Sequence, residues 1–271
     1  MRPVLFSLFS LKITSYSLFL VVAFIVGTIW AGFRAKKNGL NPDILPDVIF
    51  WVFFSSLAGA KLFGIIDALF NEIKIISLDM NYFLHLLLDS GIIAYGGIIG
   101  GSIAAIIYFK KKKKDLLPYA NTVAPGLGLG VFLIRIGCFL SGCCWGKTST
   151  SFCAVSFPPY TGAGMYQMRN NIEALFPSQL LASFNGLIIV LLILFTEKII
   201  NSTSYSFYLF ITLYSISRFI VDFTRYYKEG EMILHLSYNQ WFCILFFIIG
   251  ITAIIRQVKS SKMKKLSTVR A

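Results

Sequence analysis

Charge is what this sequence has least of. Of its 271 residues only 14% are charged, 12 are acidic and two are histidine. A water-soluble domain carries about 25% charged and about 45–50% apolar residues, whereas 56% of this chain is hydrophobic. So little polar material cannot coat a compact body, which excludes a soluble globule and leaves apolar surface to face lipid. Disorder is excluded by the same figures, since only a chain of low hydrophobicity fails to collapse. The repeats of collagen and coiled coils are absent. No small-residue cleavage site follows the first apolar run, which is therefore expected to be a permanent span rather than a signal peptide.

What charge there is leans basic, with 25 Lys and Arg and a net charge of +13. In a soluble protein that balance would suggest nucleic acid. Here the basic residues stand in short runs beside apolar stretches, at Arg34, Lys36 and Lys37, at Lys110 to Lys114, and from Arg256 to Arg270. No aromatic-interleaved basic stripe accompanies them, so no nucleic-acid partner is expected, and the runs read as cytoplasmic loops.

A helix crossing about 30 Å of hydrocarbon needs about 20 mostly apolar residues, and about seven such windows occur. They run from Ser17 to Phe33, Ile49 to Phe70, Ile92 to Phe109, Val123 to Leu140, Leu180 to Phe195, Tyr205 to Phe223 and Trp241 to Ile255. The expected fold is an all-α integral membrane protein, residues 1–271 forming one polytopic domain. Pro125 and neighbouring glycines predict that the fourth helix is broken, which is tolerated at membrane depth only against protein or a cavity. Segments 34–47, 110–114, Lys198 and the tail 256–271 carry about twice the Lys and Arg of the alternate segments, which puts them in the cytoplasm. The N-terminus and residues 142–179 then lie outside in the periplasm. That segment is rich in Pro, Ser, Thr, Tyr and Gly and is expected to form a small folded cap.

Cations at membrane depth need partners, because each costs about 2.5–3.5 kcal/mol on insertion scales. Lys61, Arg135 and Arg218 fall inside the spans. Arg218 has Asp222 one turn later and Arg225 at the next, all on one face, so the first two either pair structurally or serve a site. Arg135 has no acidic residue within a turn or two. Its counter-charge comes from elsewhere in the fold or from a ligand, and a phospholipid phosphate suits a guanidinium fork.

Glycines are concentrated at Gly96, Gly97, Gly100 and Gly101, after Tyr95, and at Gly126, Gly128 and Gly130. They serve either close helix approach or backbone contact with a ligand. Cys138, Cys143, Cys144 and Cys153 cluster where the fourth span ends. With no CxxC pair or nearby histidine, no metal site and no cofactor are expected. A disulfide from Cys153 to Cys143 or Cys144 and simple packing both stay open. His85 and His235 fall in outer loops, each a candidate general base or an ordinary interfacial residue.

The run Arg135, Ile136, Gly137, Cys138, Phe139, Leu140, Ser141, Gly142, Cys143, Cys144, Trp145, Gly146 resembles the signature segment of bacterial prolipoprotein diacylglyceryl transferases, which begins Gly-Arg-hydrophobic-Gly-Asn-Phe and ends in Trp-Gly. Other landmarks follow in the family's order. Pro3 to Ser7 with Tyr16, Gly96 to Gly100, Ala124 with Pro125, Pro177 to Leu180, Tyr214 with Arg218, Asp222 and Arg225, and Ser237 with Gln240 all match.

The resemblance implies a membrane enzyme that moves the diacylglyceryl group of phosphatidylglycerol onto the lipobox cysteine of a preprolipoprotein signal peptide, releasing glycerol phosphate. It assigns Arg135, Arg218, Asp222 and Tyr95 to catalysis, and Tyr16, Lys61, Gly96, Gly97, Cys138, Gly146 and Arg225 to substrate binding. The departures are chemical. Tyr95 stands where the family usually has His, Cys138 replaces an Asn, Cys143 an acidic residue, and Ile134 the Gly before Arg135. Lys61 stands at an Arg position, Phe176 where His is frequent, and Leu181 with Ala182 for Tyr-Glu. Retention of arginines with loss of proton-handling groups also suits a membrane protein that binds or modifies an anionic lipid without acylating lipoproteins. A transporter is the remaining alternative, although neither inverted repeats nor a midplane polar pathway is visible.

Overall fold

The computed structural model describes residues 1, 3–8, 11–72, 91, 93–227 and 232–270. The chain is all-α, 72% helical. A hairpin of β1 (Val4–Leu8) and β2 (Leu11–Thr14) leads into α1 (Ser15–Lys37), followed by α2 (Ile44–Glu72), α3 (Ala94–Lys111) and α4 (Leu116–Ser141). The short α5 (Gly162–Arg169), then α6 (Ser178–Ile200) and α7 (Ser206–Asp222), precede a second hairpin, β3 (Met232–Ile233) with β4 (Leu236–Ser237). The last helix, α8 (Tyr238–Arg270), runs on through the basic tail, so residues 256–270 extend a helix rather than forming a separate segment.

Five of these helices, α1, α2, α4, α6 and α8, are long and apolar enough to cross a membrane. The other two expected spans fall short for identifiable reasons. Two terminal lysines, Lys110 and Lys111, dilute the hydropathy of α3. The 17 residues of α7 include Arg218 and Asp222. Large apolar side chains stand on the outside of the helices, among them Phe33 (74% exposed), Trp51, Phe184, Phe195 and Ile199. A helix apolar on every side belongs in lipid or in a core, and such exposure accords with lipid.

The chain divides into two compact units, residues 1–34 with 120–271, and residues 35–119. In the first, small residues let backbones touch. A Cβ added to Gly186 on α6 would meet Phe132 N at 2.9 Å and the Gly128 carbonyl of α4 at 3.0 Å. One added to Gly137 would meet Phe19 Cβ of α1 at 2.8 Å. The expected break at Pro125 does not occur, and α4 is one helix with the proline inside it. A proline removes one N–H from the ladder, and near it the Arg34 Nε donates to the Thr122 carbonyl at 3.1 Å. Arg34, expected in a loop, belongs to α1. Its guanidinium pairs with Glu197 at 2.6 Å, and Ser206 Oγ donates to the same carboxylate oxygen at 2.5 Å.

The second unit is held by α2 against α3. A Cβ on Gly96 would run into the Gly59 carbonyl and the Phe63 ring, and one on Gly97 would come within 3.2 Å of the Ser56 carbonyl. The Ile93 N–H donates to the Ala60 carbonyl at 3.1 Å where the helices meet. The glycines after Tyr95 therefore serve helix approach.

Residues 142–179 are folded. Phe157, Ala163 and Leu175 are buried together, with Met1, Phe139, Trp145, Val155, Tyr166 and Ile172 packed around them. Thr161 caps α5 by accepting from Gly164 N at 3.0 Å, a bond that offsets one orphan donor of the first turn.

Candidate active site

The signature segment straddles the end of α4, and the way that helix stops decides where its side chains go. Gly142 has φ +65°, the left-handed conformation glycine adopts just past a helix C-terminus. Its N–H donates to the Phe139 carbonyl, and the Cys143 N–H to the Cys138 carbonyl, both at 3.1 Å. That pair of bonds is the Schellman pattern, which lays the second residue beyond the helix beside the third residue before its cap. Those residues are Cys143 and Cys138. Cys144 is also left-handed, at φ +59°, and turns its side chain back to them. The three sulfurs all lie within 4.8 Å of one another.

The turn is fixed from two sides. Ala163 N donates to the Gly142 carbonyl at 3.0 Å and Gln179 Nε2 to the Cys143 carbonyl at 2.7 Å. Among these thiols the proton is unequally shared. Hydrogen bonds from Cys138 and Cys143 hold the Cys144 thiol well below its ordinary range, helped by Arg225 and Arg135 against the opposing effect of burial. The Cys143 thiol is pushed up by its bonds to Cys138 and Cys144 and by burial.

One helical turn before Cys138, Arg135 lines a narrow cavity of about 10 Å³ that it shares with Tyr214, Ser217 and Arg218 of α7, room for about one water. Ile189 and Val221 contribute apolar wall. The Tyr214 hydroxyl faces the Arg135 guanidinium. Arg218 is oriented from behind, its Nη2 lying 2.9 Å from Asp222 Oδ1 one turn later.

The Asp222 side chain is fully buried. It also accepts from the Tyr227 hydroxyl at 2.5 Å and from Ser237 Oγ. Burial raises the Tyr227 phenol above its usual range, as does the bond to Asp222, so that group stays a donor. Asn239 Nδ2 supports it in turn, donating to Tyr227 Oη at 2.9 Å.

Of the other expected site residues, Tyr16 stands within electrostatic reach of the three thiols and Arg135, and its backbone N–H donates to Ser141 Oγ at 3.0 Å. It does not line the cavity. Arg225 bridges to Gly146 across an antiparallel pair and lies over the Tyr227 ring, 5.8 Å from its centroid. Tyr95, Gly96, Gly97 and Lys61 belong to the second unit, residues 35–119. His85 lies outside the described residues. His235 is exposed in the turn between β3 and β4, at φ +63°. All five cysteines are free, and Cys153 approaches Ser151 Oγ at 3.3 Å rather than bonding to Cys143 or Cys144.

Gly146 has a packing role. Its N–H donates to the Phe176 carbonyl, while Lys147 N donates to the Thr224 carbonyl. A Cβ at Gly146 would meet both carbonyls at 2.6 Å. Gly146→Ala is therefore expected to destabilise the protein by about 1–3 kcal/mol through overpacking, read as a lower denaturant midpoint in detergent. A midpoint equal to the parent's would show that the segment yields without cost.

Sequence reasoning named Tyr214 and Ser237 only as landmarks of the resemblance, with no role in the site, and missed Ser217 and Tyr227. Tyr214 was within reach, since it precedes Arg218 by one turn and shares its face. Tyr227 and Ser237 come from the segments beyond α7, and nothing in local spacing ties them to Asp222.

Comparison with known proteins follows the same outline. The family model for prolipoprotein diacylglyceryl transferases matches residues 3–256. The phosphatidylglycerol–prolipoprotein diacylglyceryl transferase of Clostridium tetani is 31% identical over 253 residues, covering 93% of this chain and 96% of its own. A second such transferase, from Clostridium perfringens, is 31% identical with 93% of each chain covered. That of Idiomarina loihiensis is 29% identical, covering 95% of this chain and 93% of its own.

Proposed function

From the premise that this chain belongs to the prolipoprotein diacylglyceryl transferase family, we propose that it moves the diacylglyceryl group of phosphatidylglycerol to the lipobox cysteine of a prolipoprotein. The acceptor thiolate attacks the glycerol carbon that bears the phosphate ester. A C–S bond forms, the C–O bond breaks, and glycerol phosphate leaves with the bonding pair. Negative charge therefore grows on phosphate oxygens, and two fixed cations aimed at them stabilise the transition state more than the ground state.

The observation that carries this reading is the convergence of Arg135 and Arg218 on one small cavity, which must open to admit a lipid headgroup. Arg135 holds the phosphate with its planar fork. Arg218 meets the charge developing on the leaving group, and Asp222 positions Arg218. Cys138, Tyr16 and Arg225, gathered near Arg135, bind at its edge. Gly146 keeps the folded segment at that edge. Tyr95, Lys61, Gly96 and Gly97 enter through the family resemblance, Gly96 and Gly97 with a packing duty as well. A phenol with an ordinary pKa near 10 is a poor general base, so Tyr95 does not supply the base that a histidine at its position would.

In this reading all seven apolar helices span the bacterial inner membrane as one polytopic domain. The N-terminus and the folded segment 142–179 face the periplasm, where they form the cap, and the basic end of α8 faces the cytoplasm, as its Lys and Arg favour. Both substrates carry an apolar body, a lipid or a signal helix, and enter from the side.

A strain depleted of its own transferase is expected to grow when supplied with this gene, and the purified protein to acylate a lipobox peptide from phosphatidylglycerol. Correct membrane insertion with neither growth nor transfer would overturn the proposal. Retained binding of phosphatidylglycerol in that case would favour the lipid-binding alternative, which loss of the family histidine already motivates.

A further inference from the structure

We propose that Cys138, Cys143 and Cys144 form a three-thiolate site for a soft divalent cation such as Zn²⁺, whose open fourth position takes the acceptor thiol. The second half of this inference rests on the transferase reading above. The site itself rests on geometry. Zinc binds thiolate sulfur at about 2.3 Å, so sulfurs sharing one tetrahedral ion stand roughly 3.8 Å apart. Here all three lie within 4.8 Å of one another, and rotamer adjustment closes the difference.

The turn that gathers them is built and held. Gly142 and Cys144 are left-handed, and Cys144 adopts that conformation without being glycine, at a cost of about 1–3 kcal/mol. Such strain persists only where the surroundings over-determine it. Here the Schellman bonds, Ala163 N and Gln179 Nε2 do so.

Charge favours occupancy. Three thiolates around one divalent ion leave a net charge of about −1, and −2 once an acceptor thiolate joins. Arg135 and Arg225 both stand within electrostatic reach of Cys144, and Arg225 Nε is buried with no hydrogen-bond partner among the described residues. The donor set is soft, which suits zinc or cadmium over magnesium or calcium. Among the described residues no His, Asp or Glu joins the group. Three protein ligands with one open position is the pattern of a catalytic zinc site, whereas structural sites are closed by four.

Such a site supplies what Tyr95 does not. A thiol that coordinates the ion is deprotonated outright, its proton passing to water as the acceptor binds. The bound thiolate then attacks the glycerol carbon as described above, beside Arg135, which holds the phosphate. The product is a neutral thioether, a weaker ligand than the thiolate, and it leaves. Nothing is oxidised or reduced.

The test uses full-length protein purified in detergent under reducing conditions. Cadmium titration is expected to give a thiolate charge-transfer band saturating at one ion per chain, and zinc is expected to compete for it. Even outer-shell changes cost about 10–100-fold in metal affinity, so Cys144→Ser and the triple serine variant should bind at least about 100-fold more weakly. Cys153→Ser and Cys243→Ser should bind as the parent does. Chelation of the parent is expected to abolish transfer and zinc to restore it, which keeps the test informative if the cysteine variants do not fold. Undiminished transfer by metal-free protein would overturn the inference. So would absence of the cadmium band, or a disulfide between two of these cysteines in protein taken from the membrane. Stoichiometric cadmium binding without any transfer would uphold the cation site and overturn the transferase reading instead.

Discussion

Replacing Arg135 with alanine is expected to slow diacylglyceryl transfer by about 10²–10³-fold, the cost of removing one preorganised charge or donor from a developing anion. Arg218→Ala should fall in the same range. Both guanidiniums line one cavity, so they act on a shared group and their losses should not multiply. Residues that work as a unit lose most of their effect with the first removal, and the double alanine variant is expected to be little slower than the worse single. Arg135→Lys keeps the charge but loses the planar fork and should fall between parent and alanine. The measurement is transfer of labelled lipid to a lipobox peptide, with kcat and KM resolved and folding verified by denaturant midpoint. An Arg135→Ala protein that folds and transfers at the parent's rate would remove the basis for the site.

Fold class was legible because it follows from composition and long apolar runs, which report solvent and not contacts. Five of the seven windows became helices of spanning length, and α3 and α7 exist where expected although each falls short of that standard. What failed were inferences from single residues. Pro125 with its glycines suggested a break, yet α4 continues through it. Gly128 serves the approach of α6, and Arg34 bonds to a carbonyl in the proline's turn. Propensity is a weak prior that such tertiary contacts override.

The arginines were legible from the cost of burying charge, which needs no knowledge of the fold. The thiol cluster was not. A search for CxxC spacing finds nothing at 138, 143 and 144, because that pattern describes ligands on one kind of turn. Gly142 could have revealed the other kind. A glycine just past a helix brings residues five apart together, and Cys138 and Cys143 are five apart. Tyr227 and Ser237 lie on segments after α7 whose return to Asp222 is a tertiary fact with no local signal.

Asp222→Ala is expected to cost about 3–5 kcal/mol, the range for breaking a buried ion pair by deleting one partner. The deletion strands three donors at once, Arg218 Nη2, the Tyr227 hydroxyl and Ser237 Oγ. Arg218, whose side chain is 12% exposed, would carry an uncompensated charge at membrane depth. Tyr227→Phe and Ser237→Ala each remove one donor and leave the carboxylate its remaining partners, so about 0.5–1.5 kcal/mol apiece is expected.

Stability alone cannot separate a positioning residue from a structural one, and a cycle with Arg218 does. In an Arg218→Ala background the charge needing compensation is gone, so Asp222→Ala should cost markedly less than in the parent. Interaction energies for residues in direct contact reach about 0.5–3 kcal/mol. Asp222→Glu keeps the carboxylate on the same face and is expected to restore much of kcat. Asp222→Asn keeps the shape but not the charge, and should depress kcat more than KM because Arg218 is then misaimed. Equal costs of Asp222→Ala in both backgrounds, or Asn restoring kcat as well as Glu, would show that the carboxylate holds the hairpin and not the arginine.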